Sequence, residues 1–483
     1  MSARVVQRVI GILLMIFSTT MLPALLVSIL YADHEYMAFI GGFAITALSG
    51  LILWFPARNA TDDLRLRDGF LVVAGFWIVL GLAGAVPFIL ADQLDMQPVD
   101  AIFESISGLT TTGATVLTGL DLLPESILYY RQQLQWLGGM GIIVLAVAVL
   151  PMLGVGGMQL YRAETPGPVK DTKLTPRITE TAKALWYIYV GITVVCILAY
   201  AAAGMTIFDA IGHGFSTVAI GGFSTHDASM AYFESPLIEM IAVVFMFIAG
   251  INFSLHFVAW RKATIVNYLR DPEFRAFVTV LGALTALTTI YLMATGYYPT
   301  ITESFTKAIF QAVSIGTTTG FTTADYSAWP GSLPVALILA SFIGGCAGST
   351  GGGMKVIRWL LVFKQGMREV RQLVHPSATI PVKVGSKAVS ERVIGAVWGF
   401  FAVYIILFGV MMLLLMVTGL DQVTAFSAVA ATLNNLGPGM GDVASNFASV
   451  GLLAKIVSIA AMLLGRLEIF TLFVLFTPTF WNR

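Results

Sequence analysis

The sequence predicts an all-helical protein that crosses a membrane many times, with four parallel helix–pore-loop–helix repeats around one pore and two extra helices at the amino terminus. Three observations lead to this fold class. The chain of 483 residues is 57% hydrophobic and only 11% charged, whereas soluble domains have about 25% charged residues. Its apolar residues form blocks of about 20, which span a bilayer core of roughly 30 Å. Four short segments with glycine-bearing ends interrupt these blocks.

The apolar blocks predict about ten spanning helices, with four shorter re-entrant helices between them. The first block, Ile10–Leu30, follows Arg4 and Arg8 as the core of a signal peptide would. It is longer than such a core and lacks a small-residue cleavage site, so we expect a retained helix. The clearest later blocks are Phe70–Leu90, Ala184–Met205, Ile238–Trp260, Phe277–Ala294 and Val393–Val417.

Basic residues are distributed unevenly between the two predicted sides of the membrane. They concentrate in the connecting segments 58–67, 162–177, 261–275 and 364–392, and only Arg131, Lys307 and Lys455 are expected toward the other side. Because cytoplasmic loops are enriched in Lys and Arg, the basic segments predict the cytoplasmic side, and ten spans then place both termini there. The net charge is zero, so it gives no indication of nucleic-acid binding, and we expect no nucleic-acid partner.

The four short segments are the basis for the predicted repeats. They read DAIFESISGLTTTGATV (Asp100–Val116), FDAIGHGFSTVAIGGFST (Phe208–Thr225), KAIFQAVSIGTTTGFTT (Lys307–Thr323) and TAFSAVAATLNNLGPGM (Thr424–Met440). Their superposition aligns Gly113, Gly222, Gly320 and Gly437 at intervals of roughly 100 residues, which indicates an internally repeated architecture. We expect the additional helix pair at 1–68 and the repeats at 69–162, 163–262, 263–364 and 365–483.

The chemistry of the four loops points to the backbone rather than to side chains. Their shared core reads TTTG, AIGG, TTTG and NNLG, so only the glycine is common. Non-helical backbone at membrane depth must be buried or line an aqueous cavity, and a ring of backbone carbonyls can replace the hydration shell of a hard cation. We expect the glycine to turn a carbonyl toward the axis, and the threonines to keep the chain extended and offer hydroxyls as further ligands.

A glycine-rich stretch, GGCAGSTGGG at Gly344–Gly353, lies within the apolar segment Leu333–Phe363. Glycine costs roughly 1 kcal/mol relative to alanine inside a helix, so six in ten residues predict an interruption. We expect a loop beneath the filter that acts as a gate, with Gly348, Gly351, Gly352 and Gly353 as its residues. Close helix packing by small residues is the alternative. The Walker pattern of a phosphate-binding loop is not matched.

Arg466 is a second candidate for the gate, because the sequence around it, MLLGRLEIFTLFVLF, is apolar on both sides. An arginine at the centre of a membrane helix costs about 2.5–3.5 kcal/mol on insertion scales, so it should face the pore or a partner. We expect Arg466 to project toward the pore below the filter as an electrostatic barrier. A salt bridge with a carboxylate such as Glu468 is the alternative.

The sequence gives little support for a metal centre or an enzyme. We expect the two cysteines, Cys196 and Cys346, to be buried apolar side chains. HExxH, GxSxG and paired intramembrane carboxylates are missing, so we expect no catalytic residues. The histidines lack partners at metal-ligand spacing; they are His34, His213, His226, His256 and His375.

The four loops resemble those of a known family, the membrane subunits of bacterial Trk potassium-uptake systems in the Trk/Ktr/HKT superfamily. Three further stretches carry the resemblance, which covers essentially the whole chain: FIGGCAGSTGGGMKVIR (Phe342–Arg358), LQWLGGMGIIVLAVAVLP (Leu134–Pro151) and GRLEIFTL (Gly465–Leu472). The resemblance implies potassium uptake across the bacterial inner membrane, with potassium as the only metal and without a covalently bound cofactor. The implied potassium ligands are Thr111 and Thr112, Ile220 and Gly221, Thr318 and Thr319, and Asn435 and Leu436.

The resemblance also implies partners and a mode of transport. It implies a homodimer with one pore per protomer, and a cytosolic ring of nucleotide-binding regulatory subunits that docks on the basic face. A proton- or sodium-coupled potassium symporter is the alternative function. Coupling would favour a buried titratable residue on the ion path, and the aligned loop cores contain none.

Overall fold

The computed structural model describes residues 3–60, 66–141 and 178–481. Within these ranges six helical segments are long and apolar enough to cross a membrane: Ala3–Tyr31, Tyr36–Ala57, Asp68–Leu90, Lys183–Ala202, Pro272–Ala294 and Glu391–Val417. Two bent pairs are candidates for further spans: Pro236–Ala249 with Phe253–Lys262, and Leu452–Arg466 with Phe470–Phe476. The all-helical, multi-pass fold class is confirmed. Among the described residues this gives six to eight spans, and the count of ten stays a prediction; the apolar segment Leu333–Phe363 is divided into the helices Leu333–Ser341 and Val356–Val374.

The amino-terminal block does not form the single helix that the sequence predicts. It forms two helices, Ala3–Ser18 and Met21–Tyr31. The hydroxyls of Thr19 and Thr20 at the junction donate to the carbonyls of Ile16 and Phe17, which competes with helix continuation. The next helix, Tyr36–Ala57, packs along the first of these.

The four repeats share one order of elements: a first helix, a short pore helix, a filter loop and a second helix. The first helices are Leu66–Gly84 continued by Val86–Leu90, Ile178–Ala202, Pro272–Ala294 and Glu391–Val417. The pore helices are Pro98–Leu109, Ile207–Ala219, Ile301–Gly316 and Gln422–Leu433. Side chains that accept backbone N–H groups begin three of the pore helices, namely Thr206, Thr300 and Asp421, as N-cap residues do.

The second helices are short: Glu125–Gly139, Pro236–Ala249, Leu333–Ser341 and Leu452–Arg466. A helix of 15 residues is about 22 Å long and cannot cross a bilayer core of roughly 30 Å. The predicted continuous span Ile238–Trp260 is therefore wrong. The chain bends by 92° after Ala249, where Gly250 ends one helix and the Asn252 side chain caps the next by accepting the N–H of Ser254.

The remaining elements lie mostly after the second helices. Helices Phe253–Lys262, Val266–Arg270, Val356–Val374, Phe470–Phe473 and Pro478–Trp481 belong to this group, together with a two-stranded antiparallel hairpin, Lys383–Val384 with Lys387–Ala388. The predicted basic segment 162–177, the boundary at 162/163 and residues 142–151 of the LQWLGGMG motif lie outside the described residues.

The three basic residues expected toward the basic-poor side each pair with a carboxylate. Arg131 Nε lies 2.6 Å from Glu104, Lys307 Nζ lies 2.7 Å from Glu239, and Lys455 Nζ lies 2.6 Å from Asp100. Each basic residue therefore adds no unbalanced positive charge on that side, in keeping with the asymmetry that the sequence analysis used.

Candidate ion-conduction site

The four filter loops, 110–113, 219–222, 317–320 and 434–437, adopt the same backbone conformation. The aligned glycines have φ of 81°, 78°, 85° and 99°. The residue two positions earlier is also left-handed: φ is 55° at Thr111, 55° at Ile220, 70° at Thr318 and 54° at Asn435. This second left-handed position is unusual, because φ above zero is a genuine outlier for β-branched residues.

The expectation that the threonines keep the chain extended is therefore wrong. In an extended strand successive groups point to opposite faces. A chain that alternates between left-handed and right-handed φ turns successive carbonyls toward one side. The strain of such residues, about 1–3 kcal/mol each, persists only where the surrounding structure holds them.

One backbone hydrogen bond recurs in every filter loop and holds this conformation. The residue before each glycine donates its N–H to the carbonyl five residues earlier, inside the pore helix. The four bonds are Thr112 to Ser107 at 2.8 Å, Gly221 to Ser216 at 2.8 Å, Thr319 to Ser314 at 2.7 Å and Leu436 to Ala431 at 2.8 Å. The filter loops are thus anchored identically despite their different sequences.

The filter loops close into a ring. A Cβ atom added to Gly113 would lie 2.1 Å from the carbonyl oxygen of Gly221, and one on Gly222 would lie 2.0 Å from that of Thr319. On Gly320 it would lie 2.1 Å from the oxygen of Leu436, and on Gly437 it would lie 2.7 Å from that of Thr112. These contacts run from repeat 1 through repeats 2, 3 and 4 and back to repeat 1. A ring of backbone oxygens results, and each glycine is required because a side chain would displace one of them.

The surroundings of this ring favour a cation. Each pore helix ends directly before its filter loop, so the partial negative charge at the carboxyl end of the helix lies beside the loop. The last turn of each pore helix carries no basic residue that would offset this charge. The filter-loop residues that precede the glycines are almost fully buried, from Thr111 at 0% exposed to Asn435 at 1%, which strengthens electrostatic interactions.

The side chains of the filter loops bond within the protein. The hydroxyls of Thr110 and Thr112 lie 2.8 Å apart, as do those of Thr317 and Thr319. In repeat 4 the amide nitrogen of Asn435 donates to the Thr112 hydroxyl at 2.9 Å and joins the last repeat to the first. The threonine hydroxyls thus have partners within the protein, and the backbone carbonyls are the groups that all four repeats share as candidate ligands.

In repeats 1, 2 and 3, the residue nine positions before the glycine is polar and supports the chain that leaves the filter, a feature that the sequence alone did not reveal; in repeat 4 this position is Ala428. Glu104 in repeat 1 accepts the N–H of Val116 at 3.0 Å. His213 in repeat 2 lies 2.9 Å from the Ser224 hydroxyl, and Gln311 in repeat 3 donates to the carbonyl of Ala324 at 3.2 Å. The chemistry differs in each repeat, so no sequence pattern connects these residues without the alignment at the glycine.

Gln135, from the second helix of repeat 1, supports the filter loop of repeat 2. Its Nε2 donates to the carbonyl of Gly221 at 2.6 Å, and its Oε1 accepts the N–H of Phe223 at 3.1 Å. A carbonyl oxygen has two lone pairs, so Gly221 can accept this bond and still face the ring. The sequence signal was a cluster of four polar residues within one helix, namely Arg131, Gln132, Gln133 and Gln135.

The glycine-rich segment 344–353 lies against the inner ends of three filter loops. The Thr350 hydroxyl donates to the carbonyl of Val218 at 2.9 Å. The N–H of Gly352 donates to the Thr318 hydroxyl at 2.7 Å, and the N–H of Gly353 donates to the carbonyl of Asn434 at 3.0 Å. The helix is interrupted here, as the sequence predicts, and the segment contacts repeats 2, 3 and 4.

Arg466 completes this contact on the side of repeat 1. Its guanidinium donates to the carbonyls of Gly138 at 2.8 Å and Thr350 at 3.1 Å. The helix ends at Arg466 and the chain bends by 105°, so Arg466 lies at the end of a helix rather than at its centre. Glu468, with φ of 52°, pairs with Arg358. The glycine-rich segment and Arg466 together contact all four repeats.

The fold and the closed ring of loops define a multi-pass membrane protein of the pore-loop class. A family model described as TrkH, cation transport protein, matches residues 35–483. The chain therefore belongs to the TrkH cation transport protein family, which confirms the resemblance found in the sequence.

Individual relatives match over the full length. The chain is 58% identical to the Trk system potassium uptake protein TrkH of Halomonas elongata over 483 residues, with all of both chains covered. It is 42% identical to the Trk system potassium uptake protein TrkG of Escherichia coli, with 99% of each chain covered. A crystal structure of the potassium transporter TrkH from Vibrio parahaemolyticus matches with a TM-score of 0.91 and 54% identity, and covers 100% of both chains.

Proposed function

We propose that this chain conducts potassium ions into a bacterial cell through the ring of filter loops. The observation that carries the proposal is the closure of the ring through four carbonyl oxygens, one from each repeat. The names of the relatives, which describe potassium uptake proteins, support potassium as the ion. The ion is cargo rather than a resident cofactor.

The proposed ligands are the backbone carbonyls of the two residues before each filter glycine. They are Thr111 and Thr112, Ile220 and Gly221, Thr318 and Thr319, and Asn435 and Leu436, held in place by Gly113, Gly222, Gly320 and Gly437. These oxygens replace the hydration shell of the ion as it enters. Because the four loops share only one glycine position, we expect fewer well-formed sites than in a filter built from a longer shared motif.

The proposed driving force is the membrane potential. It contributes about 2.3 kcal/mol per elementary charge for each 100 mV, which corresponds to an accumulation of nearly two decades. Proton-coupled transport would favour a titratable residue on the ion path. The filter loop cores contain no carboxylate or histidine, which favours passive flow.

The proposed gate consists of Gly348, Gly351, Gly352 and Gly353 with Arg466. The segment lies at the inner end of the filter loops, and the guanidinium adds positive charge beside the path. Both raise the free energy of a cation that leaves the ring inward. Opening requires the segment to withdraw and Arg466 to release the carbonyls of Thr350 and Gly138.

The proposed setting is the bacterial inner membrane, with both termini in the cytoplasm. The repeats are proposed to divide at 68/69, 162/163, 262/263 and 364/365. The protein would act as a homodimer, and a cytosolic nucleotide-binding ring would dock on the basic segments, including Lys364–Arg392. The exposed charges of that segment, such as Arg371 and Lys387, offer a surface for an acidic partner.

The test is ion flux through the purified chain in lipid vesicles under opposed potassium and sodium gradients. We expect a current that reverses near the potassium equilibrium potential and does not depend on the proton gradient. A reversal potential that follows the pH gradient or the sodium gradient would support a coupled symporter instead. A current without preference for potassium over sodium would contradict the proposed filter.

A further inference from the structure

The buried carboxylate of Glu273 bonds both to the glycine-rich segment and to the start of the helix that follows it. Glu273 is the second residue of the helix Pro272–Ala294 and is 8% exposed. Its Oε1 accepts the N–H of Ala347 at 2.7 Å and the N–H of Ile357 at 3.2 Å. Ala347 lies within the segment, and Ile357 lies in the first turn of the helix that follows it. One oxygen atom therefore ties together the entry and the exit of the loop.

The loop also fits into the broken second helix of repeat 2. The N–H of Cys346 donates to the carbonyl of Gly250 at 2.9 Å, and the N–H of Phe253 donates to the carbonyl of Gly348 at 3.0 Å. These bonds satisfy backbone groups that the bend at Gly250–Asn252 leaves without intrahelical partners. The glycine-rich segment of repeat 3 thus packs into the helix break of repeat 2.

The seated loop contains a strained residue. Lys355 has φ of 77° and ψ of 136°, a region that is adopted almost only by glycine. Such a conformation persists only when surrounding contacts over-determine it. The bonds of Glu273 on either side of Lys355, to Ala347 and Ile357, are contacts of this kind.

The position of Glu273 connects the loop to the cytoplasmic face. It follows Asp271, whose side chain caps the same helix by accepting the N–H of Phe274 at 2.7 Å. Asp271, Pro272 and Glu273 all lie within the basic segment 261–275, which is expected in the cytoplasm. A displacement of segment 261–275 would therefore move the Glu273 carboxylate directly away from the glycine-rich segment.

From these contacts we propose that Glu273 is a positioning residue for the gate, a latch that holds the glycine-rich segment against the filter loops. The inference rests on the proposed function, because it takes the segment to be the gate. A simple helix cap would stabilise only the helix that begins at Val356. The additional bond to Ala347 means that Glu273 also restrains the loop.

The test uses Cys346, which lies in the loop and is 1% exposed, as a reporter of loop position. The only other cysteine is Cys196, so a full-length Cys196→Ser chain has a single thiol. The rate at which a water-soluble maleimide modifies Cys346 is compared between this chain and its Glu273→Leu variant. We expect a rise of about tenfold or more in Glu273→Leu, because hydrogen bonds to charged groups are among the stronger ones.

Two further variants separate a latch from general damage to the helix. Asp271→Asn removes a carboxylate charge two residues away but keeps a capping oxygen, and it should leave the modification rate unchanged. Glu273→Gln keeps an acceptor oxygen of the same reach and should restore most of the protection. If Glu273→Leu does not fold, Glu273→Asp, which withdraws the carboxylate by one methylene, supplies the comparison. An unchanged rate in the folded Leu or Asp variant would overturn the latch.

Potassium leak from vesicles is measured on the same variants. A faster modification together with a larger leak supports both the latch and the gate. A faster modification without a larger leak supports the latch but removes the loop from its proposed role as the gate. The wild-type flux experiment is independent of both results, so failure of the latch and failure of the proposed function can be distinguished.

Discussion

The filter loops and the region beneath them are built on opposite rules. Three different sequences, TTTG in repeats 1 and 3, AIGG in repeat 2 and NNLG in repeat 4, form one backbone conformation with the same hydrogen bond in each repeat. Beneath the filter, the second helices of repeats 2, 3 and 4 do not share one ending. Repeats 2 and 4 bend by 92° and 105°, after Ala249 and Arg466, whereas repeat 3 inserts the glycine-rich segment.

The difference fits the roles that we propose for the two regions, coordination of the ion and closure of its path. Coordination of a cation by a ring requires ligands at equal distances, so all four repeats must supply the same geometry. Obstruction of the ion path needs only one element, such as the glycine-rich segment of repeat 3. The other repeats can then provide the surfaces against which that segment packs. The backbone can supply the equal coordination geometry whatever the side chains are. Obstruction of the path depends on side chains and loops that occur in one repeat only.

The largest expected effect is that of Gly320→Ala, which breaks the equality of the filter. Its Cβ would lie 2.1 Å from the carbonyl oxygen of Leu436 at a φ of 85°, so the ring must distort. We expect potassium flux to fall to the background of empty vesicles. Gly282→Ala, in a helix with open space around the added Cβ, is the matched control. Flux near the wild-type level in Gly320→Ala would contradict the carbonyl ring.

The second-largest effect is expected from the loss of Glu104, which supports the chain that leaves the filter loop of repeat 1. Glu104→Ala leaves Arg131, which is 1% exposed, without the carboxylate it contacts at 2.6 Å. Removal of one partner of a buried pair costs about 3–5 kcal/mol, so we expect a marked decrease in the midpoint of thermal unfolding in detergent. Asp100→Ala in the same pore helix removes a partly exposed partner of Lys455 and should cost about 1 kcal/mol or less. An equal decrease in the unfolding midpoint of Glu104→Ala and Asp100→Ala would show that burial of the Glu104–Arg131 pair does not matter for stability.

A smaller effect is expected from Arg466→Ala, which tests the asymmetry beneath the filter. The variant loses the bonds to Thr350 and Gly138 and the positive charge beside the path. We expect potassium flux in the absence of any partner to rise about tenfold, the equivalent of about 1.4 kcal/mol. Arg466→Lys keeps the charge but lacks the two-pronged guanidinium, and its flux should lie between the two. Unchanged flux in Arg466→Ala would remove this residue from the gate.

The smallest expected effect concerns the outer ends of filter loops 1 and 2, where His226 lies between two carboxylates. Its Nδ1 is 2.5 Å from Asp121 and its Nε2 is 3.3 Å from Asp209; the His213 ring lies 6.5 Å away and the Tyr232 ring stacks on it. Partial burial lowers the pKa of His226, but the carboxylates of Asp209 and Asp121 outweigh it and raise the pKa above its usual value.

The sign of the pH dependence follows from the raised pKa. The stabilisation by protonated His226 is fully present below about pH 6.5, the ordinary value in the unfolded chain, and is lost as pH rises through the higher folded value. Because the group is partly exposed and screened, its size should be below about 1 kcal/mol. The unfolding midpoint of the wild type should therefore fall slightly more than that of His226→Gln between pH 6 and 9. Parallel curves would contradict the ion pairs.

The amino-acid sequence determined the class of protein, the number of repeats and the position of each filter glycine. Apolar length, the asymmetry of basic residues and the recurrent glycine are local properties that follow from the bilayer and from the φ range of glycine. The sequence also predicted the interruption at Gly344–Gly353, because six glycines weaken any helix.

The tertiary structure alone decided how the loops close and what holds them. Nothing local marks Thr318 or Ile220 as left-handed, since β-branched residues avoid that region unless neighbouring contacts impose it. The pairing of Glu104 with Arg131, the support of Gly221 by Gln135 and the restraint of Ala347 by Glu273 join residues 27, 86 and 74 positions apart. Such contacts depend on the packing of whole repeats, and no local pattern encodes them.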